Sequence, residues 1–175
     1  MDAKAVHAQA LDLYRAGSVR ESLSGFEQAR AEFLAQGDQV QAAEVANDLG
    51  VVYYTQGRRD DARKIFDEAI AVFEQAGDIK GQARAIGNLA QVMNRAGEKD
   101  SAEKNYARAA ELFHQAGERA FESDTYRALS QMQLQRGRWL EALAAYDSAL
   151  AAKGGSGFLR AFLQIPLRLA GVRRS

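Results

Sequence analysis

Glycines recur along this 175-residue chain in two registers, each with a spacing of 40 residues. The first register holds Gly17, Gly57, Gly97 and Gly137, and the second holds Gly37, Gly77, Gly117 and Gly157. A fixed period of this size is typical of a solenoid, in which each repeat buries its apolar face against its neighbours. The period therefore predicts one repeat domain over residues 1–157, with repeats at about 1–38, 39–78, 79–118 and 119–157.

Apolar residues between the glycines follow a helical pattern. In the second repeat, Ala42, Ala46 and Leu49 recur every three or four residues, which places them on one face of a helix. Glycine suits the left-handed residue that ends a helix, so each repeat is predicted to be a helix–turn–helix unit. The predicted helices are about 2–16, 19–36, 40–56, 59–76, 79–96, 99–116, 119–136 and 139–153.

One aromatic position keeps the same period in all four repeats. It is occupied by Phe26, Phe66, Tyr106 and Tyr146. Three residues later an alanine recurs in every repeat, which keeps both positions on one helical face. We therefore predict that the aromatic side chains belong to the core and do not form a stacking platform.

The combined pattern resembles the tetratricopeptide repeat, with a Leu-Gly pair and Tyr in the first helix and a small residue, an aromatic and Ala in the second. The second repeat supplies these as Leu49-Gly50, Tyr53, Ala62, Phe66 and Ala69. The usual period is about 34 residues, so this chain is similar to the long-helix variant of G-protein-regulating scaffolds and kinesin light chains. The resemblance implies an all-α, right-handed superhelical solenoid of four repeats plus a C-terminal helical segment. It also implies that Trp139, which follows a turn, packs against its neighbours.

Composition excludes several classes of function. Acidic and basic residues balance to a net charge of zero, which gives no indication of nucleic-acid binding. The chain has no cysteine and no apolar run of about 18 residues, so we predict a cytoplasmic protein for which membrane association is unlikely. The two histidines, His7 and His114, lie in different repeats, and no metal or nucleotide motif is present. We predict no enzyme activity, no cofactor and no metal.

The polar face of the first helices is the predicted binding groove, since the resemblance implies that these helices line the concave side of the solenoid. Asn and Gln can bond an extended peptide backbone, and Arg can bind a carboxylate with two hydrogen bonds. We therefore expect a peptide or partner protein here, with an acidic or C-terminal group near the arginines. The predicted groove residues are Tyr14, Asn47, Tyr54, Arg84, Asn88, Gln91, Asn94, Arg95, Arg127 and Gln131.

Residues 158–175 form a separate predicted segment, which is apolar on most sides and carries four arginines and no acidic residue. Pro166 should end or kink a helix in it. The segment either caps the last repeat or docks elsewhere, on a second copy of the chain, on the chain's own groove or on a membrane surface as a basic amphipathic helix. The leading function is thus a non-catalytic scaffold or adaptor. The alternative is a self-assembling structural protein that forms homo-oligomers through this segment or the solenoid ends. The chain could also be part of a larger regulator.

Overall fold

A computed structural model describes residues 2–155, which form eight α-helices and no strand. The helices are α1 (Ala3–Arg15), α2 (Val19–Ala35), α3 (Gln39–Thr55), α4 (Arg59–Ala76), α5 (Ile79–Ala96), α6 (Lys99–Gln115), α7 (Arg119–Gln135) and α8 (Trp139–Ala152). The predicted all-α repeat fold is confirmed over these residues. The predictions for Gly157 and for residues 158–175 lie outside the described residues, and the repeat boundaries stay predictions.

Helix ends follow the glycine registers closely. The seven register glycines from Gly17 to Gly137 all have positive φ, between +69° and +87°. At Gly77 the chain turns so that the Asp78 N–H donates to the Phe73 carbonyl oxygen at 2.9 Å. The Asp78 carboxylate then accepts from the Gly81 N–H at 2.9 Å and caps α5. The turn and the start of the next helix are therefore encoded within about five residues.

The chain divides into two compact units at Asn105 and Tyr106, within α6. In the first unit, consecutive helices from α1 to α5 pack on one another. Phe26, Phe33, Phe66 and Phe73 are at most 2% exposed there. Each buried Phe contributes about 1.5–3 kcal/mol relative to an exposed position, so these four rings are major contributors to the core of the unit.

Close packing between α3 and α4 requires the small residue at Gly50. A Cβ atom added to Gly50 would lie 2.6 Å from Cε1 of Phe66, which is too close for any carbon–carbon contact. Phe66 in turn packs with Leu89 and Val92 on α5. The predicted aromatic position thus faces the first helix of the next repeat.

The prediction of burial is wrong for two aromatic residues of α8. Tyr146 is 46% exposed and Trp139 is 64% exposed, whereas Phe26, Phe66 and Tyr106 are buried as predicted. Phe66 at the same repeat position is covered by Leu89 and Val92 of α5, so burial of this position depends on the helix that packs against it and not on the local sequence. The second unit itself is held by α7 packing on α8, where Ser130 Oγ donates to the Ala142 carbonyl oxygen at 2.7 Å.

Candidate functional site

The candidate site is the face of α1, α3 and α5 in the first unit, which we call the first-helix face. Side chains on this face contact side chains of the next first helix, at sequence separations of 40 or 41 residues. A separation of 40 residues joins the same position of two successive repeats, and 41 joins a position to the neighbour of its equivalent. Helices α3 and α5 touch directly, and both bury short side chains such as Ala43 and Ala83. Short side chains permit the close approach that brings polar groups on successive first helices into hydrogen-bond range.

Arg84 on α5 contacts two carboxylates of α3 on the first-helix face. Its Nη1 donates to Glu44 Oε2 at 2.7 Å, and its Nη2 lies 3.5 Å from Asp48 Oδ1. The Arg84 side chain is 28% exposed and both carboxylates are less exposed than that. A hydrogen bond between charged groups contributes about 1.5–3 kcal/mol when it is shielded from water. The guanidinium is therefore fixed in position, and its charge is balanced by α3.

Two further contacts extend the same arrangement along the face. His7 Nε2 lies 2.8 Å from Asp48 Oδ2 and joins α1 to α3. Asn88 Nδ2 donates to Asn47 Oδ1 at 3.0 Å and joins α3 to α5, with Asn47 almost fully buried. Polar contacts thus link the three first helices of the unit. In the side chain of Asn88, one N–H of the amide group and the carbonyl oxygen stay available for other partners.

The remaining predicted residues of the first unit differ in how accessible they are. Tyr14 and Tyr54 are half-buried, whereas Gln91 and Arg95 are exposed on α5. Asn94 is already engaged, because Lys99 Nζ donates to its Oδ1 at 2.6 Å and to its carbonyl oxygen at 2.9 Å. Asn88, Gln91 and Arg95 share one face of α5 by their spacing. Arg95 has no ion-pair partner within residues 2–155.

Two predicted residues lie in the second unit. Arg127 and Gln131 are exposed on α7, and Arg127 forms an ion pair with Asp124 one turn earlier on the same helix. Their membership of a binding site stays a prediction. Glu44 and Arg84 carry opposite charges at the same position of successive repeats, and the bond between them was not predicted. This spacing of 40 residues was the available signal.

The described part of the chain offers little for other kinds of site. Among residues 2–155, no group of three or more His, Asp or Glu side chains could hold a metal ion. None of the eight helices is long and apolar enough to cross a membrane. The pKa of Tyr53, on another side of α3, is raised by burial and by the nearby Glu27 carboxylate. That phenol stays neutral over the physiological range and contributes no acid–base chemistry to the first-helix face.

Comparisons with known proteins agree with the repeat pattern. The family model described as tetratricopeptide repeat matches residues 2–75, and the model described as soluble NSF attachment protein, SNAP, matches residues 53–162. No curated protein sequence matches this chain significantly.

Solved structures that share the fold include those of BtubC and MamA. The crystal structure of BtubC (BKLC) from P. vanneervenii superposes with a TM-score of 0.76 at 17% identity and covers 99% of this chain. This chain spans 66% of the length of that protein. The crystal structure of MamA superposes with a TM-score of 0.65 at 16% identity, covering 87% of this chain and 79% of its own. At these identities the likeness shows the fold alone.

Proposed function

Because the chain belongs to the tetratricopeptide-repeat proteins, and matches the SNAP family model over residues 53–162, we propose that it is a non-catalytic scaffold. It binds a peptide or a segment of a partner protein on the first-helix face. Repeat proteins of this type generally mediate contacts between proteins and carry no catalytic residues. The cytoplasmic location predicted from the sequence stays part of this proposal.

The observation that carries the proposal is the fixed arrangement of polar groups around Arg84. A binding surface gains affinity when its side chains are ordered before the ligand arrives, because binding then costs less side-chain entropy. Arg84 is ordered by Glu44 and Asp48, and Asn88 is ordered by Asn47. These contacts support a surface on which hydrogen-bonding groups stand in set positions, as an extended polypeptide requires.

The contacts also support a proposal for the position of a ligand's acidic group. Arg84 already has two carboxylates beside it, so a third carboxylate there would meet net negative charge. Arg95 is exposed, lies in the last turn of α5, and has no acidic partner within the described residues. We therefore assign the acidic or C-terminal group of the ligand to Arg95. Its neighbouring peptide bonds are assigned to the amides of Gln91 and Asn88.

The test is selection of a displayed library of random peptides of about a dozen residues, a length that recognition by repeat grooves and helix faces accommodates. Wild-type protein is compared with the triple variant Asn88→Ala, Gln91→Ala, Arg95→Ala. The matched control removes two amides and one arginine from exposed positions on the second helices: Gln28→Ala, Arg59→Ala, Gln75→Ala. Circular dichroism establishes that all three proteins are folded before binding is compared.

The expected result is a set of acidic peptides that bind wild type and the control variant equally. Binding to the site variant should be weaker by at least about tenfold, the effect of losing about 1.4 kcal/mol. Restoring Arg95 alone should recover the preference for acidic peptides, whereas restoring Gln91 alone should not. Selection of no peptide, or of peptides that bind all variants alike, would show that this face is not the binding site.

A further inference from the structure

A cavity of about 360 Å³ lies between α6, α7 and α8 in the second unit. Its volume falls within the range of about 300–1,000 Å³ that is usual for small-molecule sites. The wall combines ionisable side chains with short ones, among them Glu111, His114, Arg119, Glu122, Ser148 and Ala152. None of these residues belongs to the first-helix face of the first unit, so the cavity is a separate feature of the molecule.

The same groove in the first unit shows that the fold does not require this cavity. The residues 80 positions earlier in the chain line a space of only about 40 Å³. Leu34 and Val72 stand there in the register positions of His114 and Ala152. A repeat can therefore fill this groove with apolar side chains, whereas the second unit leaves it open and lines it with polar groups.

Glu122 is the buried ionisable residue of the cavity wall, with an exposure of 7%. The register position of Glu122 is held by Ala42 in the first unit, so packing alone does not call for a carboxylate here. A buried carboxylate is costly unless a cation or hydrogen-bond donors accompany it. The residue thus carries a cost that the fold does not demand, which is typical of a functional position.

His114 satisfies only part of this carboxylate. Its Nδ1 lies 3.2 Å from Oε1 and 3.3 Å from Oε2 of Glu122. One ring N–H is shared between two oxygens that together can accept about four hydrogen bonds. The His114 side chain is itself 70% exposed and stands at the edge of the cavity. Glu122 therefore keeps acceptor capacity for a donor that enters the cavity.

The charges of the wall favour a cation as that donor. Two carboxylates, Glu111 and Glu122, stand against the single guanidinium of Arg119. Glu111 and Arg119 are exposed, so water screens their charges more than that of Glu122. Tyr126 also lines the cavity one turn after Glu122, and an aromatic ring attracts ammonium and guanidinium groups.

We propose that this cavity binds a small organic cation, an alkylammonium or alkylguanidinium compound. The N–H groups of the cation donate to the Glu122 carboxylate, as charged donors do in the strongest hydrogen bonds. Its carbon chain lies along the short side chains of Ala151 and Ala152, which leave the space that Val72 takes up in the first unit.

The test is a titration of isotope-labelled protein with butylamine and with butylguanidine, followed through the amide chemical shifts in NMR spectra. Butanol and butyrate at the same ionic strength supply an uncharged and a negatively charged compound of similar chain length. The variant Glu122→Gln removes the charge and keeps the shape of the side chain. Its matched control, Glu21→Gln, makes the same change at an exposed position of α2.

Both cations should shift the amide signals of residues that line the cavity, with equal affinity in wild type and in Glu21→Gln. Their affinity for Glu122→Gln should be lower by at least about tenfold. Equal binding of butanol, preferential binding of butyrate, or cation binding that is unchanged in Glu122→Gln would each overturn the proposal. Binding of a blocked lysine peptide without binding of either free cation would replace the small molecule by a partner's side chain and would also overturn it.

A second measurement separates a role in binding from a role in folding. Glu122→Ala, and the double variant His114→Leu, Ala152→Val, introduce the residues that the first unit has at these positions. Without ligand, the urea-unfolding midpoint of Glu122→Ala should be no lower than that of wild type, because a buried charge is removed. The double variant should lose cation binding although it keeps Glu122, since the larger side chains fill the cavity. A marked loss of stability in Glu122→Ala, or unchanged binding in the double variant, would refute the assignment.

Discussion

Replacing Gly50 by alanine tests the close packing between α3 and α4 most directly. The added Cβ would lie 2.6 Å from Cε1 of Phe66 and 2.9 Å from Cγ2 of Ile65. The Phe66 ring has little room to move, because it is 1% exposed and packs with Ala62 and Leu89. The new methyl group must therefore push either the ring or the helix itself.

Two opposing effects set the magnitude. Alanine is favoured over glycine inside a helix by about 0.8–1 kcal/mol. Overpacking of a well-filled core costs about 1–3 kcal/mol. We expect Gly50→Ala to destabilise the protein by roughly 1 kcal/mol, which for a chain of this length lowers the melting temperature by about 2–4 °C. The same substitution in a Phe66→Leu background should cost less, because the clash with the ring is gone and only the contact with Cγ2 of Ile65 remains.

The assay is urea unfolding followed by circular dichroism for the two single variants and the double variant, which together form a double-mutant cycle. Ala71→Gly, at an exposed position of α4, measures the propensity difference in this protein without any packing change. If Gly50→Ala stabilises the wild-type background by as much as Ala71→Gly destabilises it, the new methyl group is not overpacked. Equal effects of Gly50→Ala with Phe66 and with leucine at that position would show that the ring is not what the methyl group meets.

Substitutions at two other positions separate backbone strain and charge from packing. Gly77 has a φ of +69°, so Gly77→Ala should destabilise the protein by about 1–2 kcal/mol although nothing lies within 4 Å of the new methyl group. Gly77→Asn should cost less than Gly77→Ala. Equal melting temperatures for Gly77→Ala and wild type would contradict the predicted backbone strain. Partial burial raises the pKa of Asp67 above its ordinary value, with Arg63 opposing the shift. Ionisation of Asp67 therefore costs stability as the pH rises through the raised pKa, so Asp67→Asn should be more stable relative to wild type at about pH 7 than at about pH 3. A difference in unfolding free energy that does not change with pH would show that the carboxylate is not penalised.

Several features of the fold could be predicted because they depend on neighbours within one turn of chain. The glycines need left-handed backbone wherever a helix stops, and Asp38 and Asp78 cap the helices that follow. The candidate site was predicted less completely. Helical spacing placed Arg84 and Asn88 on one face of α5, but nothing local indicated that Glu44 and Asn47 would hold them.

The sequence by itself determined the repeat period, the helix ends and the faces that must be buried, because the order of residues along a helix sets which of its sides is apolar. Only the tertiary structure decided which partner each face meets. Phe66 and Tyr146 occupy the same position of the repeat, yet one is buried and the other is 46% exposed. The difference arises because burial in a stacked repeat depends on the neighbouring helix, and ion pairs such as that of Arg84 depend on the side chains of the repeat before it.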